Sequence, residues 1–172
     1  LDGMIEGGLP FPSTILLAGG TGCGKTTFAL QFLFEGAKRG ENGIFFTTFS
    51  EPPQWMLRFT SRFGFMDRDM VGREIRYVEL GSILGGEEAP DHLAQKVLDA
   101  LESEISRNMP QRIVIDPITV LEHRFGAHYR EFLFHLANGM KNWQTITLLT
   151  GEIHGEQFPL EVGVPMHGAR AQ

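Results

Sequence analysis

The 172-residue sequence predicts an α/β domain, a mostly parallel central sheet flanked by helices. Three observations carry that reading. Short runs rich in Ile, Leu, Phe and Thr alternate with stretches of helical periodicity, the order expected of strand–helix–strand units. A glycine-rich segment, residues 19–26, joins the first such run to the first helix. A later run, Ile113-Val114-Ile115, is wholly apolar and ends on Asp116, as expected of a strand buried on both faces in a parallel sheet.

Each element follows from local chemistry. Ser13-Thr14-Ile15-Leu16-Leu17-Ala18 lies between Pro12 and Gly19-Gly20 and reads as a buried strand. A helix is expected over residues 25–38, apolar nearly all round through Phe28, Leu30, Phe32, Leu33 and Phe34, with Gly40 and Gly43 stopping it. Residues 44–49 form the second strand. Pro52-Pro53 suits the first turn of a helix, in which Met56, Phe59 and Phe63 share a face before Gly64 ends it. Residues 74–80 alternate polar and apolar, the pattern of a half-covered or edge strand. Residues 81–90 read as a loop. With Asp91 as N-cap, the next helix places Leu93, Val97, Leu98, Leu101 and Ile105 on one face. A helix over 127–141 leads to the last clear strand, 145–150, and residues 151–172 give no element. There is no internal repeat, low-complexity tract or interdomain linker.

Composition narrows the function classes. A hydrophobic share of 42% and a charged share of 21% are globular values, and 21 glycines with 9 prolines stay below the level that signals disorder. The formal charge of −6 weighs against nucleic acid and against an anionic membrane surface as partners. One cysteine excludes a disulfide framework and a cysteine-based zinc site, and points to a reducing, cytoplasmic setting. No run approaches the ~20 apolar residues of a membrane span, and no basic n-region followed by an apolar h-region opens the sequence. The chain begins at Leu1 rather than Met, so it is expected to be a piece of a longer protein.

The strongest chemical signal is Gly19-Gly20-Thr21-Gly22-Cys23-Gly24-Lys25-Thr26, which fits G-x-x-x-x-G-K-[ST] between a strand and a helix. Glycines let the backbone wrap an anion with its N–H groups pointing inward. The helix N-terminus adds partial positive charge. Gly20, Thr21, Gly22, Cys23, Gly24, Lys25, Thr26 and Thr27 are therefore the expected nucleotide-binding residues. Lys25 would reach the β- and γ-phosphates of a nucleoside triphosphate, and Thr26 would ligate Mg²⁺. Such sites need a second acid at the end of a neighbouring strand to hold the metal's water shell. Asp116 meets that requirement, at the carboxyl end of its strand where α/β sheets bind ligands.

The residues quoted above, with Leu1-Asp2, Gly7-Gly8-Leu9-Pro10, Phe28-Ala29-Leu30-Gln31-Phe32-Leu33, Glu51-Pro52-Pro53 and Leu148-Leu149-Thr150-Gly151-Glu152, resemble a KaiC-type domain of the RecA superfamily. The resemblance runs over residues 1–152, taken as the nucleotide-binding domain, with 153–172 as a tail. It implies a RecA-like P-loop NTPase core, ATP and Mg²⁺ as ligands, and a homo-oligomeric ring, hexameric in form, or a filament, with nucleotide between subunits.

Three departures from the family pattern bear on hydrolysis. Ser50-Glu51 stands where the family carries two glutamates, of which the first is the usual base toward water. A serine hydroxyl does not accept a proton from water at neutral pH as a carboxylate does, which leaves Glu51 as the candidate catalytic base beside Lys25. Pro117 replaces a Ser or Thr after the acid. Thr150-Gly151-Glu152 replaces Thr-Ser-Glu or Thr-Thr-Glu. The tail also lacks the family's basic hairpin, with Arg170 its only basic residue.

Other features have simpler readings. His92, His123, His128, His135, His154 and His167 match no zinc spacing and read as solvated or hydrogen-bonded. Arg58, Arg62 and Arg68 among Trp55, Phe59, Phe63 and Phe65 read as the basic edge of a helix with a buried aromatic stripe, ahead of a single-stranded DNA surface. The leading expectation is a slow Mg²⁺-dependent ATPase. The alternatives are a non-hydrolytic ATP-sensing oligomerisation module and a recombinase-like DNA-binding protein.

Overall fold

The computed structural model describes residues 9–50, 54, 58, 61 and 63–152. Its strands are β1 (Ser13–Gly19), β2 (Gly43–Thr47), β3 (Ile75–Glu79), β4 (Arg112–Asp116) and β5 (Ile146–Glu152). Its helices are α1 (Lys25–Ala37), α2 (Gly81–Leu84), α3 (Pro90–Asn108), α4 (Val120–Phe125) and α5 (Tyr129–Trp143), with single 3₁₀ turns at Arg68–Met70 and Gly126–His128. Glu51, most of the helix expected after Pro52-Pro53, the opening eight residues and the tail from Ile153 lie outside the described residues.

The five strands form one sheet in the order β1-β5-β4-β2-β3, and every neighbouring pair is parallel. β4 takes the central place and is buried at all five positions, as its unbroken apolar run requires. β3 takes an edge, in keeping with its polar–apolar alternation.

Alternate side chains of β2, β4 and β5 feed two cores. Ile44, Phe46, Ile113, Ile115 and Leu149 pack with Leu93, Val97, Leu101 and Ile105 of α3 and with Phe132 and Leu136 of α5. Phe45, Val114 and Leu148 point to the other face and meet Leu30, Leu33 and Phe34 of α1. This is a three-layer α/β/α arrangement with α1 alone on its side among the described helices. The Arg112 guanidinium pins α1 to β4: Nη1 donates to the Phe32 carbonyl at 2.7 Å, Nε to Glu41 Oε2 at 2.5 Å, and the group lies 4.7 Å from the Phe32 ring centre.

The differences from expectation are local. Residues 81–84 are a helical turn rather than loop, because the Glu79 carboxylate accepts from the Ser82 N–H at 2.7 Å and from its hydroxyl at 2.6 Å, completing the turn's first donors. Ala89, not Asp91, caps α3. Pro90 takes the first helical position, where its fixed φ and missing N–H cost nothing, and moves Asp91 into the first turn. The helix expected over 127–141 starts two residues later, behind α4 and a 3₁₀ turn. β2 stops at Thr47 and β5 runs on to Glu152.

Candidate functional site

The site lies at the carboxyl ends of β1, β5 and β4. Gly22 and Gly24 adopt φ of 77° and 91°, in the left-handed region that side chains with a Cβ avoid. Gly24 is also the N-cap of α1 and makes no side-chain capping bond. The first N–H groups of a helix have no carbonyl within it, so at α1 they remain available to an anion. The loop is open: Gly20, Thr21, Gly22, Cys23 and Gly24 are exposed, and Thr26 and Thr27 half-buried.

Lys25 is buried, with 9% exposure, yet its ammonium stays in the loop. Nζ donates to the carbonyls of Gly19 at 2.9 Å and Gly20 at 2.8 Å, and lies 3.8 Å from Cys23 Sγ. These carbonyls hold the cation inside the curve of the loop.

Thr26 and Asp116 meet directly. Thr26 Oγ1 donates to Asp116 Oδ2 at 2.8 Å, and Thr150 Oγ1 donates to Asp116 Oδ1 from the other side. The topology explains this: β5 separates the loop strand β1 from β4, so a residue near the end of β5 stands beside the acid. Burial raises the Asp116 carboxyl above its ordinary value of 3.8, and the negative charge of Glu152 adds to that. The hydrogen bonds from Thr150 and Thr26 and the charge of Lys25 pull it back down.

Thr21, Gly22, Gly24, Lys25, Thr26, Thr27, Phe49, Asp116, Pro117 and Glu152 line one cavity of ≈ 380 Å³. That is within the usual range of small-ligand sites. Its hydroxyl and carboxylate oxygens suit a hard divalent cation, and its glycine amides and lysine suit phosphate.

The second expected acidic position is only partly visible. Ser50 is exposed at the end of the segment leaving β2, and Glu51 lies outside the described residues. The path of that segment depends on Gly81. A Cβ there would stand 2.3 Å from the Ser50 nitrogen and 2.5 Å from the Phe49 carbonyl carbon, so only glycine allows the close approach. Thr48 Oγ1 fixes the same segment to the residue after β4 by donating to the Pro117 carbonyl at 2.9 Å. Neither Gly81 nor Thr48 stands out in the sequence, since both act on partners distant along the chain. Among the described residues no group of three His, Cys, Asp or Glu side chains is placed to hold a metal. His154 and His167 lie outside them.

Residues 1–164 match the family model of the KaiC ATPase. The chain belongs to the KaiC ATPase family. It is 32% identical over 157 residues to the circadian clock protein KaiC3 of Synechocystis, covering 88% of this chain and 31% of that protein. It is 29% identical over 170 residues to the circadian clock oscillator protein KaiC of Parasynechococcus marenigrum, covering 92% and 32%. The chain thus spans about a third of the length of these curated relatives. A solved KaiC-like protein from the hyperthermophilic archaeon Pyrococcus horikoshii superposes with a TM-score of 0.75 at 31% identity, over 90% of this chain and 68% of that one. The fold is RecA-like, and membership of an ATPase family implies nucleotide binding. No helix among the described residues is long and apolar enough to cross a membrane.

Proposed function

We propose that this KaiC-family domain binds Mg²⁺-ATP through residues 20–27 and Asp116 and hydrolyses it slowly. The observation that carries the proposal is the 2.8 Å contact between Thr26 Oγ1 and Asp116 Oδ2, which joins the first turn of α1 to the end of β4. Thr26 and Asp116 would hold magnesium, which would supply positive charge against the β- and γ-phosphates. The loop amides and Lys25 would hold the phosphates and stabilise charge on the transferring phosphoryl group. Thr150 would keep Asp116 oriented, and Glu51 would position or deprotonate the attacking water.

The nucleotide-binding unit would comprise residues 1–152, and the chain would work as a cytoplasmic homo-oligomer, a hexameric ring or a filament. The net charge of −6 favours neither a nucleic acid nor an anionic membrane as partner. A second reading is favoured by Ser50, which stands where a carboxylate base would be expected: bound ATP would then control assembly without turnover.

The test is phosphate release and ATP affinity for the purified chain beside Lys25→Ala. Losing a charge-assisted contact of about 1.5–3 kcal/mol should weaken ATP about ten- to a hundred-fold. Parental affinity in Lys25→Ala sinks the nucleotide assignment. Tight binding without phosphate release selects the second reading.

A further inference from the structure

We propose that Glu152 is a positioning residue for the metal-bound nucleotide, a second carboxylate that works with Asp116 by accepting hydrogen bonds from magnesium's water shell. The inference rests on the Mg²⁺-ATP reading above and adds a residue to it. Three independent placements lead to it.

The first is register. In the β1–β5 ladder Glu152 pairs with Gly19, the residue that opens the loop. β5 therefore delivers an acid to the level at which the loop begins, between the strand that carries the loop and the strand that carries Asp116.

The second is anchoring. The Glu152 N–H donates to Thr119 Oγ1 at 3.3 Å, and the Ile118 N–H donates to the Thr150 carbonyl at 2.8 Å. Both bonds tie the end of β5 to the turn that follows Asp116. The backbone bearing Glu152 is thus held against the backbone bearing Asp116.

The third is charge. Glu152 lines the same cavity as Thr21, Gly22, Thr26 and Asp116. Lys25 is the only basic side chain among the described lining residues, against two carboxylates. An acid beside a phosphate site repels the ligand it is meant to help hold. Two acids there become favourable only when a divalent cation comes with the phosphates, because the cation then attracts both.

That reasoning predicts a change of sign. Without magnesium, Glu152 opposes ATP; with magnesium, it supports it. Outer partners of a metal typically contribute about 10- to 100-fold in metal affinity.

The experiment is calorimetric titration of the full chain with ATP in magnesium and in EDTA, for the parent, Glu152→Gln and Glu152→Asp. Mn²⁺ affinity of the nucleotide complex, read by electron paramagnetic resonance, serves as a second measurement. Glu152→Gln should bind ATP more tightly than the parent in EDTA and more weakly in magnesium, with Mn²⁺ affinity about 10- to 100-fold lower. Glu152→Asp keeps the charge and should recover part of the loss.

If Glu152→Gln shifts both ATP affinities in one direction, or leaves Mn²⁺ affinity at the parental value, Glu152 is structural and the proposal falls. Equal loss in the Gln and Asp variants overturns it as well. Failure of the underlying reading looks different, since Lys25→Ala would then bind ATP like the parent in both buffers.

Discussion

Thr26 and Asp116 are 90 residues apart in the chain and share a 2.8 Å hydrogen bond. The bond joins the first turn of the loop helix to the end of the central strand. It also keeps a buried carboxylate next to the loop, which is a costly place for it. The hydroxyls of Thr26 and Thr150 supply only part of the solvation lost on burial, so the acid's pKa remains raised. Carboxylate oxygens in such a place suit a hard divalent cation, whose charge would offset the cost of burial.

Replacing Asp116 should therefore separate stability from binding. With its folded pKa raised, the folded chain holds this proton more tightly than the unfolded chain does. The resulting stabilisation is complete below the ordinary carboxylate range and is lost as pH rises through the raised folded value. Near neutral pH, Asp116→Asn should melt higher than the parent in the absence of nucleotide and metal. Each kcal/mol gained would raise the melting temperature by roughly 2–4 °C for a domain of this size. Thermal melts at pH 5 and pH 8 should show the gap widening with pH. The same variant should lose most of the benefit magnesium brings to ATP affinity. A gap that narrows with pH contradicts the buried-carboxylate account.

Thr150→Val removes a wholly buried hydroxyl that donates to Asp116 Oδ1. A charged acceptor left without this donor should cost about 1.5–3 kcal/mol of stability. In an Asp116→Asn background the cost should shrink, because the acceptor is no longer charged. Urea unfolding of the two single variants and the double variant measures the coupling, and additive costs would show that the hydroxyl does not act through Asp116.

Much of this site was legible along the chain. The loop announces itself through Gly22, Gly24, Lys25 and Thr26, since its chemistry is local to one strand–helix junction. Asp116 was legible because an apolar run ending on an acid needs no knowledge of what lies beside it. The partnership of Thr150 with Asp116 was not, because it depends on β5 entering between β1 and β4. Gly81 and the turn behind it were hidden for a related reason. Four helical residues show no periodicity, and the need for glycine comes from the backbone of Phe49 and Ser50, not from Gly81's own neighbours in sequence.

Gly81→Ala should accordingly act at a distance. A Cβ that meets backbone at 2.3 Å and 2.5 Å forces the Phe49–Ser50 segment to move. Overpacking of this kind costs about 1–3 kcal/mol, measurable by urea unfolding. ATP affinity should fall as well, since Phe49 lines the same cavity as the loop and Asp116. Any turnover should fall with the displaced segment, and parental stability in this variant would show that the close approach is not real.

Under the proposed function, the residues that follow β2 would decide whether the domain hydrolyses ATP. Ser50 offers no group that takes a proton from water at neutral pH, whereas Glu51 carries a carboxylate, the kind of group that can. If Glu51 is the base, Glu51→Gln should lower turnover about 10²–10⁴-fold with little change in ATP affinity. If a carboxylate is needed at position 50 instead, the parent should release almost no phosphate and Ser50→Glu should raise the rate. The two variants move different quantities, because a sensor requires only occupancy and a hydrolase requires a positioned base. Phosphate release should be followed over a range of protein concentrations, which tests whether the proposed oligomer is needed for turnover. An active parent whose rate neither substitution alters would place the water-activating group outside this segment and remove Glu51 from the mechanism.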